Sequence, residues 1–240
     1  MLSEIATVSI GESAPRGNKM SAYCLNRRKF INTVAVTGGA ALLGLDPNFA
    51  VAEPQLEATR KHMDPPVVVM LGDSITAQMA TNAASLPFPF RAATYLGVSG
   101  NTAAQIAARV RYVPINSTHV VIEGGTNDMA GNNQTSSIVP AYTLMLNSIP
   151  PTKTVILAGV PQVDESLLAP DDLAVIYNSR IARVNADLVS LCVSYSNVIP
   201  AVDAMNLSMS GKTLDGIHLT LAGQRAYLTE VAKYVVFATH

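Results

Sequence analysis

The chain has 240 residues, 49% hydrophobic and 14% charged, which suits a globular protein with one substantial core. Its 16 Lys and Arg against 17 Asp and Glu leave a net charge of −1 with no basic stripe, which argues against a nucleic-acid partner. Aromatics make up only 5% and Trp is absent, so a stacking platform for bases is not expected either.

The first segment differs from the rest. In "NRRKFIN" (26–32) two arginines and a lysine precede a short apolar run, "TVAVTGGAALLGL" (33–45), and Ala50-Val51-Ala52 follows. A basic region, an apolar run and a small-x-small exit together predict a signal peptide over residues 1–52, leaving one domain over 53–240. The run is too short to span a bilayer, which needs about 20 residues. Arg27-Arg28 with Phe30 resembles the twin-arginine export signal. The expected location is therefore the periplasm or the exterior, with no stable membrane insertion once the leader is gone. Residues 1–19, ahead of Met20, are either a long n-region or the product of an early start codon. Beyond the leader only Cys192 remains, in an apolar-periodic stretch. It reads as a small buried hydrophobe, and neither an internal disulfide nor a Cys/His metal cluster is expected.

From there apolar runs alternate with helical patterns. Residues 67–71 ("VVVML"), 119–124 ("HVVIEG") and 154–160 ("TVILAGV") predict buried strands, with weaker ones at 93–98 and 197–202. Continuous apolar runs of this kind suit strands covered on both faces. Helices are predicted over 102–113, 136–149, 171–195 and 220–239. In the third, Leu173, Ile176, Ile181, Val184, Leu188 and Leu191 recur at three-to-four spacing after Asp171-Asp172. The two prolines of "LPFPFRAAT" (86–94) predict a loop over one rim of the sheet. Alternating strands and helices imply a parallel sheet with helices on both faces.

Polar clusters punctuate the expected carboxyl ends of the strands. After the first strand comes Gly72-Asp73-Ser74, where Ser74 is either a helix cap or a nucleophile. "GVSGNT" (97–102) follows the second strand and offers the unobstructed backbone N–H of Gly100. "GGTND" (124–128) follows the third; Asn127 there is either a turn residue or an amide donor to a developing oxyanion. "LDGIHLT" (214–220) opens the last helix. An Asp three residues before a His can accept the imidazole Nδ1–H and leave Nε2 free to take a proton. A lone His218 would more often be a satisfied, half-buried histidine. A neutral serine hydroxyl, however, needs such a base within hydrogen-bond reach.

In this order the four clusters resemble the blocks of the SGNH hydrolases, the GDSL-type esterase and lipase superfamily, over residues 67–227. The first block reads Gly-Asp-Ser-Ile, with Ile75 where the family name has Leu. The resemblance implies a three-layer α/β/α sandwich with a flavodoxin-like, five-stranded parallel sheet. It further implies Ser74 as nucleophile, His218 as base and Asp215 as its orienting acid. The oxyanion hole would comprise the N–H groups of Ser74 and Gly100 and the Asn127 amide. Asp73 and Asp128 would then hold loops in shape. The implied reaction is two-step acyl transfer on a small-molecule carboxylic ester, with no metal or organic cofactor.

The same residues could pass the acyl group to an alcohol or sugar instead of water. A binding module that merely keeps the fold is disfavoured by the intact Ser74, Asn127, Asp215 and His218. Met79, Phe88, Phe90 and Met129 are either an apolar substrate lining or ordinary packing. No stretch of the sequence specifies an oligomeric state.

Overall fold

The computed structural model describes residues 63–132, 135–235 and 238–239. The predicted leader lies outside them. Five strands, β1 (Val68–Gly72), β2 (Thr94–Gly97), β3 (His119–Glu123), β4 (Thr154–Gly159) and β5 (Val198–Pro200), form one sheet in the order β2-β1-β3-β4-β5. All four pairings are parallel. Every residue of β1 and β3 is buried, which explains their unbroken apolar runs.

Side chains alternate across the sheet. Leu71, Val120, Ile122, Val155 and Leu157 face one core, filled by α2 (Ala103–Ala107), α4 (Ile138–Ser148) and α6 (Asn178–Cys192). Val68, Met70, Val121, Ile156 and Ala158 face the other, filled by α1 (Ser74–Thr81), α7 (Val202–Met205) and α8 (Leu221–Ala232). The result is the three-layer α/β/α architecture that the sequence implied. Two further helices, α3 (Thr126–Asn132) and α5 (Pro170–Leu173), lie in connections beyond β3 and β4. The two-residue strands Met63–Asp64 and Ala238–Thr239 pair antiparallel.

The strand order reverses between β1 and β3. The chain leaves β1 toward β2 on one side, and leaves β3 toward β4 on the other. Connections diverging from adjacent strand ends open a crevice, the usual ligand site of a doubly wound sheet.

Several boundaries differ from the sequence expectation. The helix predicted over 171–195 is two, α5 and α6, with Tyr177 extended between them (φ −150°, ψ 151°). The break has a cause: Asn178 exchanges side-chain hydrogen bonds with both backbone groups of Val163, and Glu165 Oε1 accepts the Asn178 N–H. Ile176 stays fully buried, so the apolar spacing continues through the break and hides it. The helix predicted over 102–113 shortens to α2 followed by a 3₁₀ turn at Val110–Tyr112, and α8 stops at Ala232. "GGTND" is no simple turn, because Thr126 starts α3. The loop over 86–94 contains a 3₁₀ turn at Phe90–Ala92.

Helix α1 and strand β2 approach without space for a side chain between them. A Cβ on Gly97 would lie 2.2 Å from Ala77 N and 2.6 Å from Thr76 C, both backbone atoms that cannot step aside. Gly97→Ala is expected to lower stability by about 1–3 kcal/mol in a urea titration, with the m-value unchanged.

Candidate active site

Ser74 sits where β1 ends and α1 begins, half-buried at the crevice. The capping function belongs to its neighbour: Asp73 Oδ1 accepts the Ile75 N–H at 3.0 Å. Ser74, the first residue of the helix, therefore keeps its hydroxyl for another partner. That partner is His218, whose Nε2 lies 3.0 Å from Ser74 Oγ.

The Asp-x-x-His spacing closes a turn on itself. Asp215 Oδ1 accepts the N–H groups of Ile217 and His218 at 3.0 and 2.7 Å, while Oδ2 lies 2.7 Å from His218 Nδ1. One carboxylate thus shapes the backbone and orients the ring. Burial works to raise the pKa of Asp215, but the bonds from the His218 ring and backbone outweigh it and hold the carboxyl below its usual range. With Nδ1–H given to Asp215, Nε2 is the acceptor facing the serine hydroxyl.

This turn is fastened to the body of the protein by Asp164. Its N–H donates to Gly216 O at 2.8 Å, and its Oδ2 accepts the Gly211 N–H at 2.7 Å. Oδ1 accepts the Ser166 hydroxyl at 2.6 Å. That hydroxyl, the Gly211 amide and the Ser166 amide keep the Asp164 carboxyl below its ordinary range.

Across the crevice, Asn127 lies in the first turn of α3 and Gly100 in the loop after β2. Asn127 Nδ2 donates to Asn101 O at 3.0 Å and, more weakly, to Asp73 Oδ2 at 3.4 Å. Gly100 is exposed with φ +79°, a left-handed conformation that favours glycine. Asp128 holds the loop as expected: Oδ2 accepts the Ala103 N–H at 2.8 Å and Oδ1 the Ser137 hydroxyl at 3.0 Å.

Three residues around the site were not singled out from sequence. Arg109 braces the strand ends, donating to Gly72 O, Leu96 O and Asn101 Oδ1. Glu123 is a carboxyl buried at the end of β3, and a lone charge in "HVVIEG" was its visible signal. Asp164 gave no such signal, since its partners are mainly backbone groups distant in the chain. Of the apolar residues considered for a lining, Met79, Phe90 and Met129 are fully buried core and only Phe88 is exposed. Among the described residues no group of three or more His, Cys, Asp or Glu is placed to hold a metal ion. An open groove of about 620 Å³ between α4 and α6, with Thr135, Tyr177, Arg180 and Arg183 in its lining, contains none of these site residues.

The arrangement brings a hydroxyl, an oriented imidazole and an amide donor to one rim, a set suited to acyl transfer. The model of the GDSL-like lipase/acylhydrolase family matches residues 70–226. The chain belongs to that family. None of the curated proteins matches the sequence. Solved structures share the fold of this GDSL-like family member. One, a candidate platelet activating factor from Streptococcus pneumoniae, has a TM-score of 0.62 at 18% identity, covering 73% of this chain and 86% of that one. A GDSL-like lipase from Bacteroides thetaiotaomicron has a TM-score of 0.53 at 21% identity, covering 72% and 93%. The C-terminal catalytic domain of peptidoglycan O-acetyltransferase A from Streptococcus pneumoniae reaches 0.50 at 15% identity, covering 70% and 92%.

Asp164→Ala removes the acceptor of the Gly211 N–H, and hydrogen exchange at that amide is expected to accelerate on the order of tenfold while β1 and β3 amides are unaffected. In the unaltered protein the clamp acts through an ionised carboxylate whose pKa is depressed. It is therefore complete at neutral pH, and protection at Gly211 is expected to fade only on acidification below the usual carboxylate range.

Proposed function

We propose that this chain is a serine ester hydrolase that cleaves small carboxylic esters through an acyl-enzyme. The observation that carries the reading is the unbroken hydrogen-bonded line from Ser74 Oγ through His218 to Asp215, at 3.0 and 2.7 Å. A serine hydroxyl is a poor nucleophile by itself, and this line provides the base that takes its proton as it attacks the ester carbonyl. Asp215 holds the ring in the required tautomer and stabilises the imidazolium that forms. His218 then protonates the leaving alcohol, and water admitted on the same side releases the acid.

Charge that develops on the carbonyl oxygen meets three donors. The Ser74 N–H, at the first position of α1, has no intrahelical acceptor. The Gly100 N–H and the Asn127 amide complete the set. The bond from Asn127 to Asp73 is the longer of its two, and so the one exchanged for the oxyanion.

The openness of the rim favours small esters. His218 and Asp215 side chains are 38% and 54% exposed, and exposed Val98 and Leu214 flank the site. Such a site holds a short or medium acyl chain by a limited apolar contact and leaves the alcohol side in water. The same openness admits a sugar or alcohol acceptor, and the likeness in fold to an O-acetyltransferase domain favours transacylation as the second reading. Product analysis with p-nitrophenyl acetate and a sugar acceptor separates the two, as free acetate or acetylated sugar. Export by the leader predicted over residues 1–52 belongs to the same proposal.

Ser74→Ala is expected to abolish p-nitrophenyl acetate hydrolysis while the melting temperature stays within a degree or so, about the effect of a half-buried hydroxyl; full activity in that variant overturns the reading. Asn127→Ala should lower kcat by about 10²–10³-fold, the usual loss for one oxyanion donor.

A further inference from the structure

Two carboxyls lie beneath Ser74 that the acyl-transfer steps leave unused. Asp73 and Glu123 are both 0% exposed. Glu123 Oε2 accepts the Thr76 hydroxyl at 2.8 Å, whereas no donor reaches Oε1. The Glu123 carboxyl lies against Gly72, the residue before Asp73, so the two buried acids are neighbours and act on each other electrostatically. The fit is tight, since a Cβ on Gly72 would lie 2.5 Å from Glu123 Oε2.

Two ionised carboxylates cannot share such a place at acceptable free energy. The neighbouring charges do not remove the problem. Arg109 directs its guanidinium at two strand-end carbonyls and Asn101, Asp128 adds a further negative charge, and His218 acts on Asp73 from the crevice. The hydroxyls of Tyr142 and Tyr227 donate to Gly124 O and Ala158 O. A carboxyl oxygen without a donor, against a second buried carboxyl, is the place for a shared proton. Burial pushes the Asp73 carboxyl up to about 6, and burial with the Asp73 charge pushes Glu123 well above its ordinary range. Asp73 accepts from the Ile75 N–H and Asn127 Nδ2, whereas Glu123 Oε1 meets no donor, so Asp73 is the better placed to be ionised and Glu123 to keep the proton.

We propose that Glu123 donates this proton in a hydrogen bond to Asp73 and is thereby a positioning residue for the oxyanion site. The bond draws Asp73 charge away from the Asn127 amide, so that Nδ2–H is released to the substrate oxyanion. Loss of the proton puts a second anion behind the site and leaves Asp73 holding Asn127. This functional half rests on the esterase reading; the shared proton itself does not.

Glu123→Gln tests both halves. The amide can still accept from Thr76 and donate to Asp73, but it carries no titrating proton. First, the infrared spectrum of the unaltered protein at neutral pH should contain a buried protonated-carboxyl stretch that the variant lacks; absence of that difference overturns the proposal. Second, melting temperatures should diverge. The folded-state pKa of Glu123 is raised, so folding favours the protonated form, and stability falls as pH climbs from the ordinary Glu value toward the folded one. The variant escapes that decline, so its advantage should widen with pH, and a constant gap overturns the shared proton.

Third, kcat for p-nitrophenyl acetate should fall in the unaltered enzyme toward about tenfold per pH unit on the alkaline side. In the variant kcat should hold at its own neutral-pH value, with KM insensitive to pH in both. Parallel alkaline declines overturn the functional half. An unaltered enzyme without any hydrolytic activity overturns the esterase reading and the functional half together, while the spectrum and the melting curves still decide the shared proton.

Discussion

The site depends on the parallel pairing of β1 with β3, in which Leu71 stands opposite Ile122 at the sheet centre. That pairing brings the end of β1 beside the end of β3, and the diverging connections keep the space above them open. Ser74 and Asn127 are far apart in the chain and meet only because of this register. A shift by one residue would turn each strand over and carry the pairing with it. Each strand sends different side chains into the two cores, so such a shift would mismatch both, and the packing that stabilises the fold also sets the spacing of the site.

Around that pairing the polar groups divide into those that hold the chain and those that face outward. Asp73, Asp128, Arg109 and Asp164 turn inward to backbone groups and neighbouring side chains, and are mostly withdrawn from solvent. Ser74, Gly100, Asn127 and His218 remain at least partly accessible. Burial is costly for a carboxylate unless its lone pairs are met by donors. Asp128 and Asp164 are met by amides and hydroxyls, whereas Glu123 lacks a donor on one oxygen. That difference marks Glu123 as chemically distinct from the other acids of the crevice.

Much of this arrangement was legible in the sequence. Strands covered on both faces must be apolar throughout, so β1, β3 and β4 were plain, as were the polar clusters at their ends. The pairing of Asp215 with His218 was legible because a three-residue spacing closes a local turn. The division of residues 171–195 was not, because Ile176 continues the apolar spacing while the break comes from Asn178 and Glu165 meeting Val163 and each other. Met79, Phe90 and Met129 could not be assigned to pocket or core from sequence, since both environments favour the same residues. Arg109 and Asp164 act largely on backbone atoms of remote segments, which leave no mark on the local sequence.

The turn bearing His218 is attached differently from the rest of the site. Ser74 and Asn127 rise from strand ends inside the sheet, but Asp215 and His218 hang from a loop fastened by Asp164 and by the isolated bridge between Thr213 and Leu219. On the esterase reading, the groups that would bind charge stand on the sheet and the groups that would move the proton stand on a tethered turn. On that reading, warming that frees this tether would part His218 from Ser74 while the sheet persists. Heat tolerance of the activity would be governed by a few bonds at the loop, and heat tolerance of the fold by the core.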